Sequence, residues 1–235
     1  MVFDNNPTIL IVGASRGLGY AMAEEFVTRG WSVIGTIRGR RSHSGLHDLA
    51  SRYPQQVRVE VVDIDDVDTI VDLRSRLSDR RLDILFVNAG TTTGDPLALV
   101  DQVSDAEFVR VMCTNTLGPM RVIEALKDRV PADGLIGAMS SGQGSIANNE
   151  KGTREVYRAS KAALNMLMRC FAAREREQSR SIAVMAPGWI QTDLGGPDAP
   201  YTIEEAVPPL VDVLLAKRTR PGLEYLDRFG DAVPW

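Results

Sequence analysis

Strand and helix signals alternate along the whole chain, and that rhythm restricts the fold more than any single residue does. Short runs rich in β-branched and other apolar residues occur at "TILIV" (8–12), "WSVIGTI" (31–37), "VRVEVV" (57–62), "LDILFV" (82–87), "GLIGAM" (134–139) and "SIAVMA" (181–186), with "LEYL" (223–226) as a weaker seventh. Between them lie longer segments of helical period, at 17–29, 45–53, 66–78, 104–129, 156–177 and 203–216. Such alternation implies βαβ units and a parallel sheet. Several strands are apolar almost throughout, as expected when helices cover both faces and neither meets water. The expected fold is α/β: a doubly wound, seven-stranded, mostly parallel sheet of the Rossmann type, with helices on both faces. A length of 235 residues with 44% hydrophobic content supports one sizeable core, hence a single domain over 1–235.

Charge narrows the partner. A formal net charge of -4 and the lack of any long Lys/Arg run offer no basic field to nucleic acid or an anionic membrane, so the ligand should be small. No apolar run is long enough to span a bilayer, and "MVFDNNPTILIVG" lacks a signal peptide's charged start and cleavage site; a cytoplasmic protein is expected. Cys113 and Cys170 both sit in helix-like apolar patterns and read as small buried hydrophobes.

In "TILIVGASRGLGYAMAEEF" a strand runs into a turn with glycines at 13, 17 and 19 and then into a helix. Glycines there permit a sharp bend and close approach of a pyrophosphate, while the helix N-terminus offers free N–H groups and a partial positive charge. A tight turn without ligand has the same glycines. At the end of the second strand, where an acid would bind a free ribose 2′-hydroxyl, "GTIRGRR" supplies Thr36, Arg38, Arg40 and Arg41 instead, and Arg16 lies in the glycine turn. Guanidinium groups can grip a 2′-phosphate, which favours NADP(H) over NAD(H). A solvated basic loop is the alternative.

"YRASKAAL" (157–164) puts Tyr157 and Lys161 four apart on one helix face. An ammonium beside a phenol stabilises the phenolate, so the tyrosine pKa should fall towards the range of a general acid/base. Alone, the pair reads more readily as a half-buried tyrosine with a snorkelling lysine. Its company is more specific: "NAG" (88–90) ends the fourth strand, "TNTLG" places Asn115 in the helix after it, and "SS" (140–141) ends the fifth strand, at the sheet edge where ligands of open α/β folds bind.

These motifs, in this order, resemble the short-chain dehydrogenase/reductase family over essentially the whole chain. The family's TGxxxGxG turn stands here as Val12 to Gly19, with valine replacing the usual threonine. "MSSGQGSIANN", "YRASKAALNM", "APGWIQTDLGGPDAP" and the ending "VPW" look most like its C-factor-like and sniffer-like carbonyl reductase branch. The resemblance implies a catalytic tetrad of Asn115, Ser141, Tyr157 and Lys161. Tyr157 would be the acid/base and Ser141 would orient the reacting oxygen. Lys161 would bind the nicotinamide ribose and depress the tyrosine pKa, and Asn115 would hold a water linked to the lysine. It also implies cofactor contacts from Gly13, Ser15, Arg16, Gly17, Leu18, Gly19 and Arg38. Asp63 and Ile64 would receive the adenine, Asn88, Ala89 and Gly90 the adenosine ribose, and Pro187, Gly188, Ile190 and Thr192 the carboxamide. Asp63 could instead cap the helix after it, and Asn88 could serve turn chemistry.

Ser141 precedes Tyr157 by sixteen positions, three more than is commonest in the family, so "NNEKGTRE" should bulge outward, and Ser140 is a weaker candidate for the serine. Most members form dimers or tetramers, so a homo-oligomer is expected. The aperiodic stretch 186–202 reads as a substrate lid, with 188–202 as the substrate-binding loop. Trp189, Ile190, Leu194, Tyr201 and Met139 are candidates to line an apolar pocket for a carbonyl or alcohol substrate. His43 and His47 have metal-pair spacing but no evident third ligand, and no metal is expected. A P-loop is absent, and serine hydrolysis has no suitably placed histidine. The function implied is NADP(H)-dependent hydride transfer; the alternative is a cofactor-binding regulatory or signalling protein with little turnover.

Overall fold

The structure, a computed structural model, describes residues 6–39 and 43–235. Its seven strands are β1 (Thr8–Val12), β2 (Ser32–Ile37), β3 (Val57–Val61), β4 (Ile84–Val87), β5 (Leu135–Met139), β6 (Ser181–Ala186) and β7 (Gly222–Asp227). They form one sheet in the order β3-β2-β1-β4-β5-β6-β7, and every pairing is parallel. The helices are α1 (Gly17–Thr28), α2 (Gly45–Arg52), α3 (Val67–Arg76), α4 (Asp105–Met112), α5 (Gly118–Leu126), α6 (Glu155–Arg174) and α7 (Ile203–Lys217). No described helix is long and apolar enough to cross a membrane.

The continuous apolar character of the strands has a direct cause in their pleat. Ile9 and Ile11 of β1 enter one core with Phe26 of α1 and Leu210 of α7, while Leu10 and Val12 enter the other with Ile123 of α5 and Leu164 of α6. Successive side chains point to opposite faces, so the central strands of a sheet sandwiched between helix layers are apolar at nearly every position, while β3 and β7 at the edges carry Arg58, Glu60 and Glu224. The strand order reverses between β1 and β4, whose carboxyl ends carry the glycine turn and "NAG". A crevice opens at such a switch point.

Two expectations need correction. The segment 104–129 is not one regular helix: α4 and α5 are joined by a π turn over Cys113–Leu117, whose wider ring inserts an extra residue. Hydrophobic periodicity does not register one inserted residue in an otherwise helical pattern. Second, Cys113 is half-buried and Cys170 exposed, and both are free thiols, so neither is the buried core residue its pattern suggested. Cys170 shares the outer face of α6 with exposed Met166 and Leu167, an apolar stripe turned away from the sheet.

Candidate active site at the switch point

The glycine turn is shaped by close backbone approach. Gly13 has φ +88°, and a Cβ there would stand 2.9 Å from the backbone of Ala89. A Cβ on Gly19 would enter the carbonyl of Gly13 and come within 2.6 Å of Asn88 Nδ2. Gly13 N donates to Thr36 Oγ1 (2.9 Å) and Asn88 Nδ2 to Gly13 O (2.8 Å), so β2 and β4 both brace the turn. Asn88 thus has the turn role its sequence position allowed. Helix α1 starts from Arg16 without a side-chain cap, leaving its first-turn N–H groups to be satisfied from outside. A cleft of about 550 Å³ opens beside it, lined by Arg16, Gly17, Thr192, Asp193 and Pro197 among others. A glycine-lined approach, an uncapped helix start and an adjoining cleft fit a dinucleotide phosphate.

Several expected cofactor residues meet at this edge. Arg16 reaches across the cleft to an ion pair with Asp193, and both side chains are exposed. Arg38 is exposed just beyond β2, whereas Arg40 and Arg41 lie outside the described residues. Asp63 does not cap α3: Asp66 does, accepting from Asp68 N, while Asp63 Oδ1 accepts from Asp65 N (3.1 Å). Ile64 is buried, packed where a Cβ on Gly118 would meet it at 2.9 Å. Pro187 O accepts from Arg228 Nη1 (3.3 Å), Gly188 has φ +98°, and Thr192 Oγ1 accepts from Gly195 N (3.0 Å). Of the proposed pocket wall, Met139 and Ile190 are buried in the structure, whereas Trp189, Leu194 and Tyr201 are exposed.

The tetrad residues converge from β5, the π turn and α6. Tyr157 and Lys161 are both buried, one helical turn apart, with Lys161 Nζ 5.8 Å from the centre of the tyrosine ring. The Ser141 hydroxyl lies close enough to the Tyr157 phenol to pull its pKa down. Lys161 Nζ donates to Met139 O (2.9 Å) at the end of β5. The π turn swings Asn115 towards the β4 loop, where Nδ2 donates to Thr91 O (2.8 Å) and to Ser160 Oγ (2.9 Å), and Oδ1 accepts from Thr91 N (2.8 Å). Gly90 sits between these groups: a Cβ there would lie 3.2 Å from Asn115 Oδ1 and 3.3 Å from Lys161 Nζ. Ser140, the weaker candidate, donates to Asn165 Oδ1 (2.6 Å) within the core and so is a bracing residue. Of the segment 148–155 expected to bulge outward, residues 148–153 are exposed, whereas Arg154 and Glu155 are half-buried.

Electrostatics depart from the expectation for the tyrosine. Burial pushes the Tyr157 pKa up, and the nearby Arg154 charge and Ser141 hydroxyl pull it down less strongly. Desolvation of a phenolate outweighs the local stabilisation. Burial also lowers Lys161 from 10.5 to about 8. In the protein alone, the phenol is therefore held protonated at neutral pH.

Three residues had no motif to announce them. Tyr225 on β7 donates its hydroxyl to the Ser141 carbonyl and packs against Trp235, ring centres 5.1 Å apart; burial raises its pKa to about 12. Arg228 stacks on Tyr201 (3.8 Å) and Phe229 (4.3 Å) while holding Pro187. Arg154 stacks on Tyr157 itself, at 4.9 Å. Only Arg154 stood close enough to a motif, three residues before the tyrosine, to have drawn notice. Among the described residues no cluster could hold a metal ion.

Comparisons with known proteins agree with this layout. The family model for short chain dehydrogenase matches residues 7–200. A short-chain dehydrogenase/reductase from Burkholderia multivorans, solved with bound NADP, is 59% identical with a TM-score of 0.96, covering 98% of this chain and 100% of its own. A carbonyl reductase from Pseudomonas aeruginosa PAO1 in complex with NADP is 32% identical with a TM-score of 0.88, covering 98% and 100%. C-signal of Myxococcus xanthus is 35% identical over 156 residues, 66% of this chain and 93% of that protein. With an all-parallel switch-point sheet and these likenesses together, the chain belongs to the short-chain dehydrogenase family of oxidoreductases, among its carbonyl reductase-like members.

Proposed function

We propose that this protein is an NADP(H)-dependent carbonyl reductase. The observation that carries the reading is the Tyr157 phenol, beside the Ser141 hydroxyl and one helical turn from Lys161, next to a glycine turn built for phosphate. When bound, NADP(H) supplies hydride to a carbonyl carbon or accepts it from a secondary alcohol. Gly13, Ser15, Gly17, Leu18, Gly19 and the start of α1 would hold its pyrophosphate. Asp63, Ile64, Asn88, Ala89 and Gly90 would hold the adenosine end, and Pro187, Gly188, Ile190 and Thr192 the carboxamide.

Tyr157 Oη gives its proton to the carbonyl oxygen, and Ser141 Oγ donates a hydrogen bond to the same oxygen as negative charge develops there. The Lys161 ammonium, 5.8 Å from the tyrosine ring, would then join the Arg154 charge in offsetting part of the burial that disfavours the phenolate left behind. Asn115 Oδ1 has one lone pair on Thr91 N, and its other can hold a water towards Lys161 Nζ, by which the proton is restored. A phenol kept protonated by burial is in the state that proton donation to a carbonyl oxygen requires. Arg38, with no carboxylate at the end of β2 to repel a phosphate, supports NADP(H) over NAD(H), and the NADP in related structures accords with it. We place the protein in the cytoplasm. The outer face of α4 and α6, with exposed Val109, Met166 and Leu167, supports a homo-oligomer.

Tyr157→Phe tests the reading. It should lower kcat by about 10²–10⁴-fold, the usual scale for losing a positioned proton donor, with NADPH affinity retained. A near-normal rate would overturn the assignment. The likeness to C-signal favours one other reading, a cofactor-binding regulator with little turnover. Absence of NADPH consumption across a panel of aldehydes, ketones and quinones would decide for it.

A further inference from the structure

Arg154 occupies an unusual position. It immediately precedes α6 with φ +60° and ψ +44°, the left-handed region that a residue with a Cβ seldom enters. Its guanidinium lies 4.9 Å from the centre of the Tyr157 ring. Stacking uses the flat face of a guanidinium and leaves its N–H donors, which lie in the plane, still in need of acceptors. Here Nε and Nη2 are both shut off from solvent without a hydrogen-bond partner. Those two nitrogens carry the parallel N–H bonds that take both oxygens of a carboxylate.

No other described arginine has two nitrogens in this state. Arg129, Arg180 and Arg218 each have a buried, unpartnered Nε, but each gives another nitrogen to an oxygen, of Ser78, Glu175 and Asp83 respectively. No such contact is made by Arg154, and no described carboxylate pairs with it. The acid beside it, Glu155, is turned away to accept from Val100 N (2.8 Å). Arg154 as a whole is half-buried, and two enclosed N–H donors of its guanidinium left without acceptors are costly unless something else completes them. The position is held by a strained backbone against the ring of the proton donor, and strain of this kind gathers where a ligand is gripped.

We propose that Arg154 is the anchor for a carboxylate on the substrate, so that the natural substrates are short oxo acids, or the corresponding hydroxy acids in the reverse direction. This rests on the reductase reading above. The carbonyl oxygen meets Tyr157 and Ser141 while the half-buried guanidinium turns its otherwise enclosed Nε/Nη2 fork to the carboxylate. With the guanidinium stacked on that same tyrosine, the two groups are separated by only a few carbon atoms. Hydride and proton balance as in any carbonyl reduction, and the carboxylate takes no part in bond making.

The test uses the full chain loaded with NADPH and straight-chain oxo acids with the carbonyl at the second, third or fourth carbon, each set against its methyl ester. For the best acid, the wild-type ratio of kcat/KM for acid over ester should reach about 10-fold or more, as expected where a charge-assisted pair is made with one substrate only. Arg154→Gln should collapse that ratio towards unity, and Arg154→Lys, which keeps the charge and loses the fork, should give an intermediate one. Calorimetric titration of the same acid into NADPH-loaded Tyr157→Phe should show binding that weakens about 10-fold or more when Arg154→Gln is added. A wild-type ratio near unity, a ratio unmoved by Arg154→Gln, or unaltered binding in the double variant overturns the proposal. Preference for a phosphorylated ketone over every acid overturns it too. Turnover of esters without acid preference sinks only the anchor; acid binding that depends on Arg154 with no turnover of anything sinks only the reductase.

Discussion

Lys161 should make the folded protein more stable as pH rises, and the size of the effect follows from its burial. The ammonium is fully enclosed at Met139 O, and its pKa falls from 10.5 to about 8. Between those values the unfolded chain binds more protons than the folded one, so stability climbs with pH. Below the lower value the folded state carries the whole cost of the buried charge, about 3.4 kcal/mol for the full shift; above the upper value the cost is gone. Integrating the linkage from about pH 7 to about pH 9.5 gives a gain of about 2 kcal/mol. Lys161→Met keeps an apolar stem and cannot titrate, so it serves as the reference. Urea unfolding of both proteins at both pH values cancels the titrations they share. Wild type should gain about 2 kcal/mol on the variant over this range. A relative stability constant to within about 0.5 kcal/mol, or one that moves the other way, refutes the claim that the buried lysine carries this penalty.

The two serines at the end of β5 should separate cleanly. Ser141→Ala should cut kcat by about 10²-fold or more, because a donor to the developing oxyanion is lost, whereas Ser140→Ala should cost about 1–2 kcal/mol of stability by stranding Asn165 Oδ1, with a much smaller change in rate. Equal rate losses in steady-state assays would show that the two are not distinguished as described. Arg38→Asp should reverse the ratio of catalytic efficiencies with NADPH and NADH, and an unchanged ratio would remove Arg38 from cofactor choice.

The sheet was legible because its strands are buried on both faces: β1 and β6 begin and end where their apolar runs do, at 8–12 and 181–186. The tetrad was legible because its members belong to short motifs that end strands or start helices. Other features are tertiary quantities. The pKa of Tyr157 depends on how completely its neighbours exclude water, and no spacing of tyrosine and lysine encodes that. Exposure of Cys170 depends on which side of α6 meets the sheet, and α6 has apolar residues on both. Tyr225 and Arg228 reach the site from the sheet's edge strand, far along the chain from the residues they brace, and Arg154 matters through the acceptors it lacks.

The five residues of the π turn also fix what insertions and deletions can do here. Removing a single residue between Cys113 and Leu117 would let α4 and α5 fuse into one regular helix, a locally more favourable path for the backbone. The same edit would rotate everything before it by about a quarter turn or more, the angle one α-helical residue subtends. Asn115 would then lose its grip on Thr91 and Ser160, and the loop that seats Gly90 against Lys161 would come adrift. A shorter, tidier helix is thus available to this chain only at the expense of the crevice.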